Sequence, residues 1–382
     1  MRIGIFTDSY RPYTSGVVKS IDTFSRELRN KGHETFIFSP SYPNIEKEEN
    51  VFRFISVPAP TNRDFTLAIP LSLHISATIK RTKLDLIHVQ SPFFMGHLGS
   101  RSAKRHRLPL VFTYHTLYDQ YTHYMPFLQN TSKQFMRALG VDFANKCDLV
   151  ITPTGVVKDY LVENGVKVPI ASIPTGLTME EFQEYDAGWL RNNYRIPKDH
   201  TVLLFVGRLG KEKNLNFLLR AFQQVLQVEP RVTLVLVGSG PEEQGLRALI
   251  KDMGMSRHVV FTGLRQKNDV INCYAGSDIF VLPSVTETQG IVLLEAKALG
   301  VPSVAVSAFG AKEMIRHGED GYLSPEREED FSRFLLKLVQ DPALRAEMSR
   351  KALENARYFS AEYTTERLIR EYEKLIKSRV PV

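Results

Sequence analysis

Short apolar runs recur along the chain, separated by segments with helical spacing. Residues 2–6, 35–39, 86–89, 110–113 and 149–152 have the length and character of buried strands. Between the first two, Val17, Ile21, Phe24 and Leu28 fall on one helical face, and Gly32 closes that helix. A strand, a crossover helix and a second strand in one sheet must pair in parallel. A second series follows a polar, Pro-containing stretch at 192–200. Its strands are expected at 201–206, 232–237, 259–261, 279–282 and 301–306, with a helix over 214–228. The pattern predicts two doubly wound α/β domains, 1–185 and 186–360, joined near 175–195. Residues 361–382 form a last helical segment, with Tyr363, Leu368, Ile369, Tyr372 and Ile376 on one side. Such a helix needs a partner surface and is expected to cross back to the first domain.

Composition narrows the class. The 382 residues are 43% hydrophobic and 24% charged, which excludes a disordered chain. Cys147 and Cys273 are too few for a disulfide framework or a four-cysteine zinc site, so both are expected reduced in the core. No segment reaches the ~18 uninterrupted apolar residues of a membrane-crossing helix. The first seven residues have the pattern of a strand rather than a secretory leader, so a cytoplasmic protein, soluble or peripheral, is expected. The net charge of +7 is spread evenly: residues 1–190 hold 21 basic and 18 acidic side chains, and the remainder 28 and 24. Neither half is a basic block of the kind that binds nucleic acid. One local feature differs. The segment 91–98, with Phe93 and Phe94, runs directly into Arg101, Lys104, Arg105 and Arg107. It fits either a solvated helix face over a packed core or an anionic membrane surface.

In open parallel sheets, ligands sit beyond the carboxyl ends of the strands. Four groups occur there. Residues 8–16 end in Ser15 and Gly16 just before a helix N-terminus, a place that favours phosphate or serves as an ordinary turn. Gly207-Arg208 through Lys213 follows the strand at 201–206; an Arg fork and a Lys point charge suit a diphosphate. Residues 284–291 contain Glu287, Thr288, Gln289, Gly290 and Ile291, and Glu295 lies about one turn into the next helix. That apolar helix makes Glu295 costly without a partner. His115 stands after the strand at 110–113, followed by Tyr118, Tyr121, His123, Tyr124 and Phe127. Packing explains such a run, and so does contact with an acceptor or lipid. No Walker loop, no G-x-G-x-x-G in the first half and no D-x-D pair after a strand is present, which disfavours ATP hydrolysis, a dinucleotide and a divalent metal.

These groups, in this order over essentially the whole chain, resemble the retaining glycosyltransferases of family four. The resemblance rests on the E-x₇-E pair Glu287 and Glu295 and the R-x₄-K pair Arg208 and Lys213. It implies a GT-B fold, two Rossmann-like doubly wound domains facing a cleft. Ser15-Gly16 replaces the usual Gly-Gly, and Gln289 the usual Phe. With 114–118 and 121–124, these variants are similar to the bacterial diacylglycerol alpha-glucosyltransferases. The resemblance implies that Arg208 and Lys213 hold the donor diphosphate, Glu287 the donor sugar and Glu295 the ribose. Gly16 would approach the diphosphate from the other domain, and His115 would touch the sugar near its 6-hydroxyl. Gly263 and Arg265 would lie by the base. The implied reaction moves glucose from UDP-glucose to 1,2-diacylglycerol, without a cofactor or metal, at the cytoplasmic face of an anionic membrane. The implied partners are a nucleotide sugar and a lipid, not nucleic acid. Another donor such as GDP-mannose, a soluble acceptor, an epimerase or hydrolase, and a silent binding module are the alternatives. The sequence assigns no carboxylate nucleophile, since Asp8 and Asp119 are merely near in the chain, and it leaves oligomeric state open.

Overall fold

A computed structural model describes residues 1–13, 15–43, 45–59, 62–68, 75–117 and 131–379. The chain forms two units, Met1–Gly176 with Ala361–Val382, and Leu177–Ser360.

The first unit holds strands β1 (Arg2–Phe6), β2 (Glu34–Pro40), β3 (Val51–Phe54), β4 (Ser56–Ala59), β5 (Asn62–Ala68), β6 (Leu86–Val89), β7 (Leu110–Thr113), β8 (Leu149–Thr152) and β9 (Ile170–Ser172). Its helices are α1 (Gly16–Asn30), α2 (Ile75–Thr82), α3 (Phe94–His106), α4 (Thr131–Ala144) and α5 (Gly155–Glu163). Seven strands pair in parallel in the order β3-β2-β1-β6-β7-β8-β9. Every residue of β6, β7 and β8 is buried, as expected when helices cover both faces of a parallel sheet. The order reverses between β1 and β6, which opens a crevice at their carboxyl ends.

The second unit holds α6 (Trp189–Tyr194), β10 (Thr201–Val206), α7 (Leu215–Val228), β11 (Val232–Val237), α8 (Glu243–Asp252), β12 (Val259–Gly263) and α9 (Lys267–Ala275). It continues with β13 (Ile279–Leu282), α10 (Ile291–Ala298), β14 (Ser303–Val306), α11 (Ala311–Met314), β15 (Gly321–Ser324), α12 (Glu328–Gln340) and α13 (Pro342–Ala356). Its six-stranded parallel sheet runs β12-β11-β10-β13-β14-β15, with the reversal between β10 and β13.

The chain then returns to the first unit through α14 (Ala361–Arg379). Leu368 and Tyr372 of α14 share a core with Ile21, Phe24 and Leu28 of α1. Lys31 donates to Glu366 at 2.9 Å, and Arg367 to the Ser172 carbonyl at 2.5 Å. The Tyr372 hydroxyl lies 2.6 Å from Nδ1 of His88, whose Nε2 lies 2.6 Å from Thr113 Oγ1.

Three features differ from the sequence expectation. The linker expected at 175–195 is structured and belongs to the second unit from Leu177 onward, because Leu177, Phe182 and Leu190 are buried in that unit's core. Val51–Phe54 form an added edge strand and β4 pairs antiparallel with β5, in a stretch where Arg53 and Ser56 break the apolar run. The edge strands β9 (Ile170–Ser172) and β15 (Gly321–Ser324) also lie outside the expected set, since neither is a continuous apolar run. Both cysteines are buried and unpaired.

Candidate functional site

The loops after β10, β11 and β12 lie backbone against backbone. A Cβ on Gly238 would stand 2.0 Å from the Gly207 carbonyl oxygen, and one on Gly240 2.4 Å from that of Leu209. The approach is fastened by hydrogen bonds from the Leu209 amide to the Ser239 carbonyl (3.0 Å), from the Gly207 amide to the Val237 carbonyl (2.9 Å) and from the Gly238 amide to the Gly263 carbonyl (3.1 Å). Gly263, at φ +71°, uses the left-handed region. The sequence shows the Gly-Ser-Gly after β11 only as a strand end; its packing on the Arg208 loop is a tertiary fact.

After Gly210 the chain makes a short turn over Lys211–Lys213, and α7 begins. Ser284, just beyond β13, donates its hydroxyl to the Glu212 carbonyl at 3.0 Å, tying the loops on either side of the strand-order reversal. Across that junction Lys213 Nζ donates to Glu287 Oε1, with 19% and 17% of the two side chains exposed. The Glu287 carbonyl accepts from the Gly310 amide at 2.8 Å. A Cβ on Gly310 would stand 2.5 Å from the Thr288 carbonyl carbon, so Gly310 lets this loop pack tightly. Gln289 is buried, Gly290 takes φ +76°, and Ile291 opens α10. Glu295 accepts from the Tyr274 hydroxyl at 2.8 Å. Burial, then the Glu295 charge, push the Tyr274 phenol well up, so it stays a donor. Tyr274 is the partner that Glu295 requires, and it comes from α9, where no motif marks it.

The structure thus brings Gly207, Lys213, Glu287, Thr288, Gln289, Gly290, Ile291 and Glu295 to the carboxyl edge of one sheet at its reversal point. Arg208 is exposed on the same loop. Arg265 is exposed beyond β12 and donates to the Tyr194 hydroxyl at 2.8 Å.

The first unit has its own reversal-point edge. Ser15 Oγ accepts from the Val18 amide at 3.3 Å, so its side chain serves as the N-cap of α1, with Gly16 exposed behind it. Asp8, after β1, accepts from Ser91 Oγ and from the Met95 amide (3.0 Å). Its position is that of a buried support for the start of α3. Burial raises its pKa more than these hydrogen bonds lower it. His115, partly buried, places Nε2 2.7 Å from Gln90 Oε1. Burial lowers its pKa to about 4, which keeps the imidazole neutral at physiological pH. Gln90, the partner of His115 here, is announced by no motif; its one signal is its place directly after a strand.

Helix α3 turns Met95, Leu98, Gly99, Ser102 and Ala103 to the core. Its opposite side exposes Phe94 (48%), Arg101, Lys104 and Arg105, with Arg107 at the C-cap. Phe93 is half-buried at the N-cap, so the two phenylalanines do not share one environment. Tyr118 and Tyr121, with Asp119, His123, Tyr124 and Phe127, lie outside the described residues. Among the described residues, no cluster of three His, Cys, Asp or Glu side chains could hold a metal, and no helix is long and apolar enough to cross a membrane.

Residues 169–355 match the family described as glycosyl transferases group 1, and residues 14–181 match glycosyltransferase family 4. The alpha-monoglucosyldiacylglycerol synthase of Streptococcus pneumoniae (strain ATCC BAA-255 / R6) is 34% identical over 80% of this chain and 71% of its own. The Acholeplasma laidlawii protein of the same name is 28% identical over 92% of each chain. The crystal structure of Anabaena HepE in complex with UDP superposes with a TM-score of 0.79, at 20% identity, over 98% of this chain and 100% of that one. Two parallel-sheet domains joined in this order have the GT-B fold. The chain belongs to the glycosyltransferase group 1 family, of the family-four type.

Proposed function

We propose that the protein moves glucose from UDP-glucose to the hydroxyl of 1,2-diacylglycerol, with retention at the anomeric carbon, while bound peripherally to the cytoplasmic face of an anionic membrane. The observation that carries the donor half is the Lys213–Glu287 pair on loops flanking a strand-order reversal. A nucleoside diphosphate leaving group needs cations and loop amides, and this edge supplies both. Lys213 would pass from the Glu287 carboxylate to the diphosphate, freeing Glu287 for sugar hydroxyls. Arg208 would add a second cation, and Glu295 would hold the ribose. In the transfer, the bond from C1 to the phosphate oxygen breaks and the bond from C1 to the acceptor oxygen forms on the same face. The acceptor's proton passes to the departing phosphate. These groups stabilise departure without a divalent ion.

The names of the pneumococcal and Acholeplasma relatives support the lipid acceptor, and UDP bound to HepE supports a uridine nucleotide. The exposed side of α3 supports a membrane site: Phe94 can enter the interface while Arg101, Lys104, Arg105 and Arg107 meet anionic headgroups. Each well-placed cation contributes about 1 kcal/mol near such a surface, so binding should weaken with salt.

The test presents the full chain with vesicles of anionic lipid and diacylglycerol, together with UDP-glucose, UDP-galactose or GDP-mannose. Products are read by mass spectrometry and the anomeric configuration by proton NMR. Alpha-glucosyldiacylglycerol, formed with or without EDTA, is the expected product. Transfer only to soluble hydroxy compounds would overturn the lipid acceptor, and a metal-reversible loss in EDTA would overturn the metal-independent chemistry.

A further inference from the structure

We infer that Arg53, on the edge strand β3, is a positioning residue that clamps the loop after β1 and so sets the Ser15–Gly16 turn for a phosphate. The inference rests on the reading of that turn as a contact of the donor diphosphate.

The loop leads from β1 into α1. Its anchor is Tyr10, 3% exposed, which shares a core with Val18 and Ile21 of that helix. The Tyr10 hydroxyl donates to Asp22 Oδ1 at 2.9 Å, also on α1. Arg11 closes a fork on the same carboxylate: its Nε donates to Oδ2 at 2.9 Å, and Nη2 stands 2.9 Å from Oδ1. These contacts tie the loop to the helix it enters.

Arg53 holds the loop from the other side. Strand β3 pairs in parallel with β2, and Arg53 lies opposite Ser39, one residue before β2 ends. That register puts the guanidinium at the carboxyl edge of the sheet, where β1 also releases its loop. Nη1 faces the Arg11 carbonyl (2.9 Å), Ser39 Oγ (3.2 Å) and the Pro40 carbonyl (3.3 Å), while Nη2 donates to Glu48 Oε1 at 2.6 Å. The guanidinium carbon stands 5.2 Å from the centre of the Tyr10 ring. Glu48 Oε2 lies 3.6 Å from Arg11 Nη1 and completes the circuit. The Arg53 side chain is 16% exposed, so water competes little for these bonds.

Two guanidiniums face two carboxylates, and the network is electrically balanced. It therefore brings a diphosphate no net attraction. What it supplies is a fixed course for the backbone that continues to Ser15 and Gly16. Backbone amides stabilise a departing phosphate best when they are already oriented. A contact that strengthens as the bond breaks shows in kcat rather than in KM. An ammonium at position 53 would keep the charge, but it is a point donor without the planar fork that joins the loop, the end of β2 and Glu48.

The experiment uses the full chain with UDP-glucose and diacylglycerol vesicles, beside amide hydrogen exchange of the peptides covering residues 7–16. Arg53→Ala should lower kcat by about 10- to 100-fold, the range for a misplaced reacting group, with KM for UDP-glucose little changed. Exchange should quicken in residues 7–16 and stay level elsewhere. Guanidinium ion, added below denaturing concentration, should restore part of the lost kcat, and Arg53→Lys should stay impaired. Arg53→Gln combined with Glu48→Gln removes both charges of the pair, so a slow kcat there with a wild-type thermal midpoint separates positioning from stability. Wild-type kcat and wild-type exchange in Arg53→Ala would overturn the inference. So would a kcat loss that appears only with a lowered midpoint and faster exchange throughout the chain. Gly16→Val tests the underlying reading: wild-type kcat there would sink the turn as a phosphate contact, and exchange in Arg53→Ala would still decide whether Arg53 holds the loop.

Discussion

Lys213 and Glu287 stand 74 positions apart in the chain and form one ion pair. Both side chains are mostly sheltered from water, so losing one leaves the other charge poorly solvated. Lys213→Ala is therefore expected to do two things. It removes a cation at the proposed leaving group, and it frees Glu287 to repel the diphosphate. The expected loss in kcat is about 10²- to 10³-fold, the size of an oxyanion-hole deletion. Turnover within a few-fold of wild type, measured at saturating UDP-glucose, would refute the assignment. The charge and spacing of Arg208, Lys213 and Glu287 are visible in the sequence because strand-end loops concentrate ligand chemistry. The pairing is not visible, since it depends on β10 and β13 lying side by side.

Helix α10 keeps Glu295 partly buried against Tyr274 and turns Lys297 to the core. Lys297 and Asp320 are both buried, with Nζ 2.5 Å from Oδ2. Asp320 also accepts from Asn355 Nδ2 at 2.6 Å on α13 and from the Arg316 amide at 2.9 Å. Burial pulls the Lys297 pKa down while the Asp320 charge pushes it up. This network locks the helix that presents Glu295. Asp320→Leu would strand a buried ammonium, and the expected cost is about 3–5 kcal/mol. Urea unfolding would measure it; a cost below about 1 kcal/mol would show that the ion pair contributes little beyond an exposed one. Nothing in the pattern of α10 announces this lysine as buried, because a lysine in a short helix usually faces solvent. The existence of α10 was legible from its apolar run, and the partner of its lysine was not.

The first unit is closed by its own C-terminal helix through Tyr372, His88 and Thr113. Burial lowers His88 to about 3 and His115 to about 4, against an ordinary value of 6.5. With folded values below the unfolded one, the unfolded chain binds more protons between these limits. The stability that both histidines provide is fully present above about pH 6.5 and is lost progressively as pH falls towards 4. Urea midpoints at pH 7.5, 6.0 and 5.0 should decline in that order, and a His88→Asn, His115→Asn double variant should decline less steeply. A level wild-type profile over this range would contradict neutral rings at His88 and His115.

Two doubly wound sheets follow from the alternation of short apolar runs with amphipathic helices, because only parallel strands covered on both faces satisfy that pattern. Loop chemistry at the strand ends is equally local, so the sequence by itself determined Arg208, Lys213, Glu287, Glu295 and His115 as candidates. Tertiary structure alone decided which residues hold them. Ser284 reaches Glu212, Tyr274 reaches Glu295, Gln90 reaches His115, and the glycines at 238 and 240 allow loops from different strands to touch. It also moved residues 177–185 into the second unit, where Leu177 and Phe182 find a core. The physical reason is range. Periodicity and turn chemistry act over a few residues, whereas a hydrogen-bond partner is chosen by which strands become neighbours.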